Sequence, residues 1–145
     1  MINQLGERES RALLQEEVTG RLGCSDHGKP YIVPVHYLFD NDCVYVQSPP
    51  GHKIDVLRDN PNACLQVDEV KDDSHWRSVL AFGLYEEVND VNERRRVLAD
   101  LFKHLRSVTP VESRMKQPSP ETPDTIDTIV FRIRVTDITG VYENL

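Results

Sequence analysis

Ser48, Gly51, His52 and Lys53 stand close together in the stretch VYVQSPPGHKIDVLRDNP, residues 44–61. Val44 to Ser48 has the composition of a short strand, and Pro49-Pro50-Gly51 stops it. A helical run, Gly51 to Asp59, follows at once, with His52 and Lys53 in its first turn. The first turn of a helix leaves backbone N–H groups without partners and carries the positive end of the helix dipole. A hydroxyl and a glycine just before such a turn, with a lysine inside it, suit a dianionic phosphate. The nucleotide-triphosphate loop G-x-x-x-x-G-K-S/T is not met, because Ile54 follows Lys53 and the glycines are missing. Two readings fit these residues: a phosphate site, and a plain strand-to-helix turn with a solvated lysine.

Other chemistry has less support. No G-x-S-x-G or triad-like arrangement sets up a serine or cysteine nucleophile. The five histidines, His27, His36, His52, His75 and His104, lack zinc-like spacing, so no metal site is expected. No single acid or base is marked as catalytic. The three cysteines, Cys24, Cys43 and Cys64, lie in β-type runs without C-x-x-C spacing. They read as reduced, mostly buried thiols of a cytoplasmic protein. A net charge of -7 argues against nucleic acid as the main partner but leaves room for one local phosphate site. The start, MINQLGERESR, has no apolar core, so no signal peptide is expected. No apolar run reaches the ~20 residues of a membrane span.

The elements that must position Lys53 follow from periodicity. With 145 residues, one domain over 1–145 is expected. Glu7 to Gln15 reads as a short helix anchored by Leu13 and Leu14. Val18 to Cys24 alternates as a strand, and Ser25 to Pro30 should close a hairpin. Tyr31 to Phe39 is apolar on both faces, with Tyr31, Val33, Val35, Tyr37 and Phe39 on one and Ile32, Pro34, His36 and Leu38 on the other. A strand buried on both sides needs a ligand, a helix or a partner subunit against its outer face. Pro34 has no N–H, so pairing should be interrupted there. Asp40 to Asp42 is a tight turn into Cys43–Ser48, and further strands are expected over Ala63–Val70, Trp76–Val88 and Thr128–Val135. A helix starts at Asp90 with Glu93 three residues on, and Val91, Leu98, Leu101, Phe102 and Leu105 follow helical spacing. Its Arg94, Arg95 and Arg96 read as a solvated surface. Thr109 to Asp124, rich in Pro, Ser and Glu, reads as a long loop. The order lacks β-α-β alternation. It fits a mainly β fold, an antiparallel barrel of about six strands with two or three helices outside it.

In that order, GRLGCSDHGKPYIVPVHYLFD, VYVQS, GHKIDVLRDNPNACLQVDE, WRSVLAFGLYEEVND and IVFRIRVTDITG resemble the pyridoxamine 5′-phosphate oxidase-like superfamily of split β-barrels that bind flavin nucleotides. Within it, the chain is most similar to the small flavin-binding proteins that include the nitroimidazole-resistance proteins. The pieces cover roughly Leu13 to Leu105 and the closing strand.

The resemblance implies a homodimer with two FMN molecules at the subunit interface. It implies that Ser48, Gly51, His52 and Lys53 hold the FMN phosphate; many relatives carry an arginine where this chain has His52. It implies that Val33, Pro34, Val35, His36 and Tyr37 pass beside the isoalloxazine ring. His36 also fits a hydrogen-bonded interior residue. Trp76, Arg77 and Ser78 would approach the flavin or the second subunit, and Trp76 also fits a core or interface anchor. Full pyridoxamine phosphate oxidases end in a basic segment with Arg and His. Here the sequence reads RVTDITGVYENL, so oxidation of pyridoxamine 5′-phosphate is not expected. The function implied is an FMN-dependent oxidoreductase acting on a small molecule, a nitroaromatic acceptor being one candidate. The alternatives are a flavin store, sensor or carrier without turnover, and the same barrel holding haem or a deazaflavin.

Overall fold

In a computed structural model, which describes residues 1–108 and 128–145, the described residues form eight strands and three helices. They are β1 (Asn3–Gln4), α1 (Glu7–Glu16), β2 (Thr19–Asp26), β3 (Lys29–His36), β4 (Leu38–Asp40), β5 (Cys43–Ser48), α2 (His52–Asp59), β6 (Asn62–Asp72), β7 (His75–Glu87), α3 (Val91–Val108) and β8 (Ile129–Glu143). The strands form one antiparallel sheet in the order β3-β2-β6-β7-β8-β5-β4, with β1 added to β8. β3 and β4 are consecutive in the chain yet lie at opposite ends of that order. The sheet must therefore curl until its two ends meet, which makes a split barrel.

The split falls at Tyr37 and not at Pro34. Pro34 stays in register with Arg21, and β3 is a sheet edge with β2 as its neighbour, where a missing N–H is tolerated. At Tyr37 the chain leaves β2 and goes over to β5. Its N–H donates to Val18 O at 2.9 Å, and its hydroxyl donates to Leu14 O at 2.7 Å. The single strand expected over Tyr31–Phe39 is thus two strands joined at a fully buried tyrosine. Nor is it buried on both faces within one chain. Val35, Tyr37 and Phe39 are buried, whereas Pro34 and His36 are exposed and Ile32 is 67% exposed.

Two of the turns need left-handed backbone. His27 and Gly28 have φ of 51° and 86°, and Asn41 and Asp42 have φ of 52° and 61°. Two-residue hairpins with both φ positive match the twist of the strands they join, and Gly and Asn adopt that conformation readily. The last strand runs to Glu143, eight residues beyond the expected Val135. It pairs with β7 along most of that length, through an irregularity at Phe82/Gly83. A Cβ on Gly83 would meet Arg134 O at 2.2 Å, so this approach of β7 to β8 needs glycine.

The barrel interior is apolar: Leu22, Val44, Leu65, Val67, Val79, Phe131 and Ile133 are fully buried. Leu13 and Leu14 of α1 join this core. α3 packs on β5 and β4 through Val97, Leu98, Leu101, Phe102 and Leu105, which form a second apolar cluster with Cys43, Tyr45 and Val130. Val91 is exposed and does not belong to that stripe. Asp90 caps α3 by accepting from Glu93 N–H at 2.9 Å. The reciprocal half of a capping box is missing, because the Glu93 carboxylate turns to Arg132. Cys43 is buried and Cys24 and Cys64 are half-buried, all three as free thiols. The loop expected over Thr109–Asp124 lies outside the described residues.

Candidate functional site

The run β5–α2 folds as a strand, a Pro-Pro-Gly stop and a helix, and this places Ser48 and Lys53 together. Ser48 ends β5, in register with Ile129 of β8, and is 1% exposed. Lys53 sits in the first turn of α2, anchored by buried Ile54, Val56 and Leu57. Lys53 Nζ donates to Ser48 Oγ at 2.6 Å, and Ser48 Oγ donates to Pro49 O at 2.8 Å. Burial pushes the Lys53 pKa below its ordinary value. Among the described residues no carboxylate pairs with it. An ammonium carries three donors, and Ser48 takes one. A half-buried cation without a counter-charge is costly by itself and favours an anion beside it. No side chain caps α2, so the N–H groups of its first turn add to that preference.

Lys53 lies at one side of a cleft of about 390 Å³. β3 lines it at Pro34, Val35 and His36, and α3 lines it at Leu101, Phe102 and Leu105. Gln47, Pro49 and Thr128 complete the lining. The cleft is therefore mostly apolar with a cation at one side, the common form of a site for a flat apolar ligand with an anionic tail. His36 Nδ1 lies 3.2 Å from Thr19 Oγ1, a contact that orients the ring.

Next to Lys53, His52 turns toward the β2–β3 hairpin. Its Nε2 lies 2.9 Å from Asp26 Oδ2, and its ring meets Tyr31 edge-on at 5.0 Å. Gly51 is exposed at the head of α2, with extended backbone. Val33 packs against the barrel core, and Tyr37 is turned fully into it, where burial raises the pKa of its hydroxyl. Trp76, Arg77 and Ser78 lie elsewhere in the same chain. They are on β7, which β2 and β6 separate from β3, roughly 14 Å away at ordinary strand spacing. Trp76 Nε1 donates to Glu143 Oε1 at 3.2 Å, Arg77 Nε to Glu69 Oε1 at 3.2 Å, and Ser78 Oγ accepts from Gln66 Nε2 at 3.0 Å. Among the described residues no group of three or more His, Cys, Asp or Glu side chains is gathered as for a metal ion. None of the described helices is long and apolar enough to cross a membrane.

Residues 6–141 match the sequence profile of the pyridoxamine 5′-phosphate oxidase family. The chain belongs to that family. A curated relative, an uncharacterized protein of Rhizobium meliloti (strain 1021), is 33% identical over 87 residues, which are 60% of this chain and 58% of the relative. The match thus spans little more than half the length of that relative. Among solved structures, a FAD-binding protein from Mesorhizobium loti superposes with a TM-score of 0.78 and 29% identity, over 99% of each chain. A proposed 5-nitroimidazole antibiotic resistance protein from Bacteroides thetaiotaomicron reaches a TM-score of 0.78 at 23% identity, over 98% of this chain and 88% of that one. At that identity the second likeness shows the split-barrel fold alone.

Several cleft residues of this family member were not singled out in its sequence. Leu101, Phe102 and Leu105 read as core, because helical spacing marks an apolar face without naming what it meets. Gln47 and Pro49 flank Ser48 and carried no signal beyond strand and turn. Asp26 read as a turn former, and its contact with His52 bridges residues far apart in sequence.

Proposed function

We propose that the cleft binds a flavin mononucleotide and that the protein is an FMN-dependent oxidoreductase acting on a small molecule. The observation that carries this reading is Lys53: a half-buried ammonium on Ser48, without a carboxylate partner among the described residues, beside an apolar cleft. Lys53, Ser48 and the free N–H groups of α2 hold the phosphate. Val35 and the α3 residues Leu101, Phe102 and Leu105 supply apolar walls for a planar ring and keep water from it. His36, tethered by Thr19, offers a hydrogen bond at the same wall. The bound flavin supplies the redox chemistry, and the chain supplies binding, orientation and electrostatics.

The reading includes a homodimer that covers the exposed side of β3. Ile32 on β3 and Phe82 on β7, 67% and 40% exposed, are part of an open apolar face of the sheet. A second copy seated there would bring its own Trp76, Arg77 and Ser78 within reach of the cleft. Light scattering of flavin-loaded protein that gives a monomer of 16.6 kDa would remove the shared site.

FAD is the second reading, favoured by one observation: the 29% identical structure that spans 99% of this chain is a FAD-binding protein. One experiment separates the cofactors. Purified protein is denatured, and the released chromophore is identified by chromatography and absorbance. FMN at one per chain is the expected result, and FAD, a deazaflavin or haem in its place overturns the assignment. Oxidation of reduced nicotinamide with candidate acceptors then separates an enzyme from a flavin carrier.

A further inference from the structure

The direction of one hydrogen bond gives the Lys53 amine a second use. Ser48 Oγ donates its only hydrogen to Pro49 O at 2.8 Å, so toward Lys53 Nζ, 2.6 Å away, it can only accept. In the neutral amine one N–H goes to Ser48, and the serine has no hydrogen to offer the nitrogen lone pair. Among the described residues no other hydrogen bond or ion pair engages Nζ. The lone pair is therefore free, and Lys53 lines the cleft. Burial disfavours the ammonium, so at a given pH a larger share of Lys53 is neutral than of a solvated lysine. Lys29, Lys71 and Lys103 are exposed.

A neutral amine beside an apolar cleft is the setting in which lysines attack carbonyl carbons. Here Val35, Leu101, Phe102 and Leu105 offer contact to a flat ring. We propose that Lys53 is a site of reversible imine formation with aromatic aldehydes that enter the cleft. The lone pair forms a C–N bond to the carbonyl carbon, and the carbonyl oxygen takes up one proton from the nitrogen. The second amine hydrogen then leaves with that oxygen as water, the C–O bond breaks and C=N forms. Amine and aldehyde give imine and water, with no oxidant or reductant involved. If the imine takes a proton from solvent, it regains one N–H, and Ser48 is placed to accept it. Its charge then spreads into the ring, which suits a half-buried site better than a compact ammonium. The imine and a bound phosphate exclude each other, because both use Nζ. The inference goes beyond the flavin reading and meets it only in that competition.

The test exposes the full chain to salicylaldehyde and cyanoborohydride at neutral pH. The hydride turns an imine into a stable amine, and peptide mass mapping locates it. Lys53 should be labelled about tenfold faster than Lys29, Lys71 or Lys103, since the cleft holds the aldehyde beside it. Acetaldehyde has no ring for the cleft to hold and should lose most of that preference. Saturating FMN should slow the label on Lys53 about tenfold and leave the exposed lysines unchanged. The chain is also used with whatever flavin it carries on purification. There the label on Lys53 should appear in step with flavin release, read by fluorescence, so the test does not depend on a stable flavin-free fold.

Labelling of Lys53 no faster than of the exposed lysines, with flavin removed or released, overturns the inference. Equal preference for Lys53 with acetaldehyde overturns it as well. Label on Lys53 that FMN does not suppress supports the imine and removes the flavin phosphate from Lys53. No label on Lys53, with FMN affinity still lost in Lys53→Ala, overturns the imine and leaves the phosphate site standing.

Discussion

Two half-buried cations of this barrel sit in opposite circumstances. Arg132, on the outer side of β8, is 14% exposed at its side chain and is held by both Glu86 and Glu93. Burial works against its charge, but the two carboxylates more than offset it and raise its pKa. Lys53, at the start of α2, has burial working against it as well, and only the Ser48 hydroxyl on the other side. The first cation is finished within the fold and ties β8 to β7 and α3. The second is left for something to complete. A charge that the fold desolvates and does not pair is better evidence of a ligand than a charge in a full salt bridge.

The comparison breaks most easily at Lys53. Lys53→Ala should weaken FMN by about ten- to a hundredfold, from a charge-assisted contact of roughly 1.5–3 kcal/mol, and leave riboflavin nearly unchanged. Side-by-side titrations check this, and equal losses for both ligands would take Lys53 out of the phosphate site. Arg132→Leu should do the reverse. It should cost about 1–2 kcal/mol of folding stability, since it removes the partner that Glu86 and Glu93 share and leaves them only Arg134 and Arg96, and keep the preference for FMN over riboflavin. Urea unfolding measures the first and the same titration the second.

How much of this contrast the sequence carries depends on distance along the chain. Ser48 and Lys53 are five residues apart across an obvious Pro-Pro-Gly stop, so their juxtaposition was legible. The start of α2 fell within one residue of the expected position for the same reason. The split at Tyr37 was not legible. The apolar run is continuous from Tyr31 to Phe39, and nothing local says that the pairing partner changes from β2 to β5. Pro34, the visible interruption, turned out to be harmless on an edge strand. The far half of β8 was missed because Asp137 and Gly140 are poor strand formers. They are held extended by the long β7 beside them. The pairing of Arg132 with Glu86 and Glu93 needed the same long-range register.

Tyr37→Phe sharpens the comparison from the core side. It removes the hydroxyl that satisfies Leu14 O at the split and should cost about 1 kcal/mol of stability in urea unfolding, with flavin affinity unchanged. A large loss of flavin binding would mean that the split itself shapes the cleft.

The smallest effect is a pH dependence. The folded-state pKa of Lys53 is lowered by burial, so between that value and its unfolded value of 10.5 the unfolded chain binds more protons. The Lys53 contribution to the stability of flavin-free protein should therefore rise with pH through this alkaline window. The difference in unfolding free energy between wild type and Lys53→Met, followed from neutral to alkaline pH, should show the rise. Saturating FMN should suppress it, because the phosphate favours the ammonium. Arg132 offers no such window, since its raised pKa keeps it charged throughout.

The most direct measurement is a crystal structure of the protein with FMN bound. The phosphate should lie within hydrogen-bond distance of Lys53 Nζ and Ser48 Oγ, at the first turn of α2, with the ring between β3 and α3. A phosphate bound elsewhere, with Lys53 still on Ser48 alone, would contradict the account.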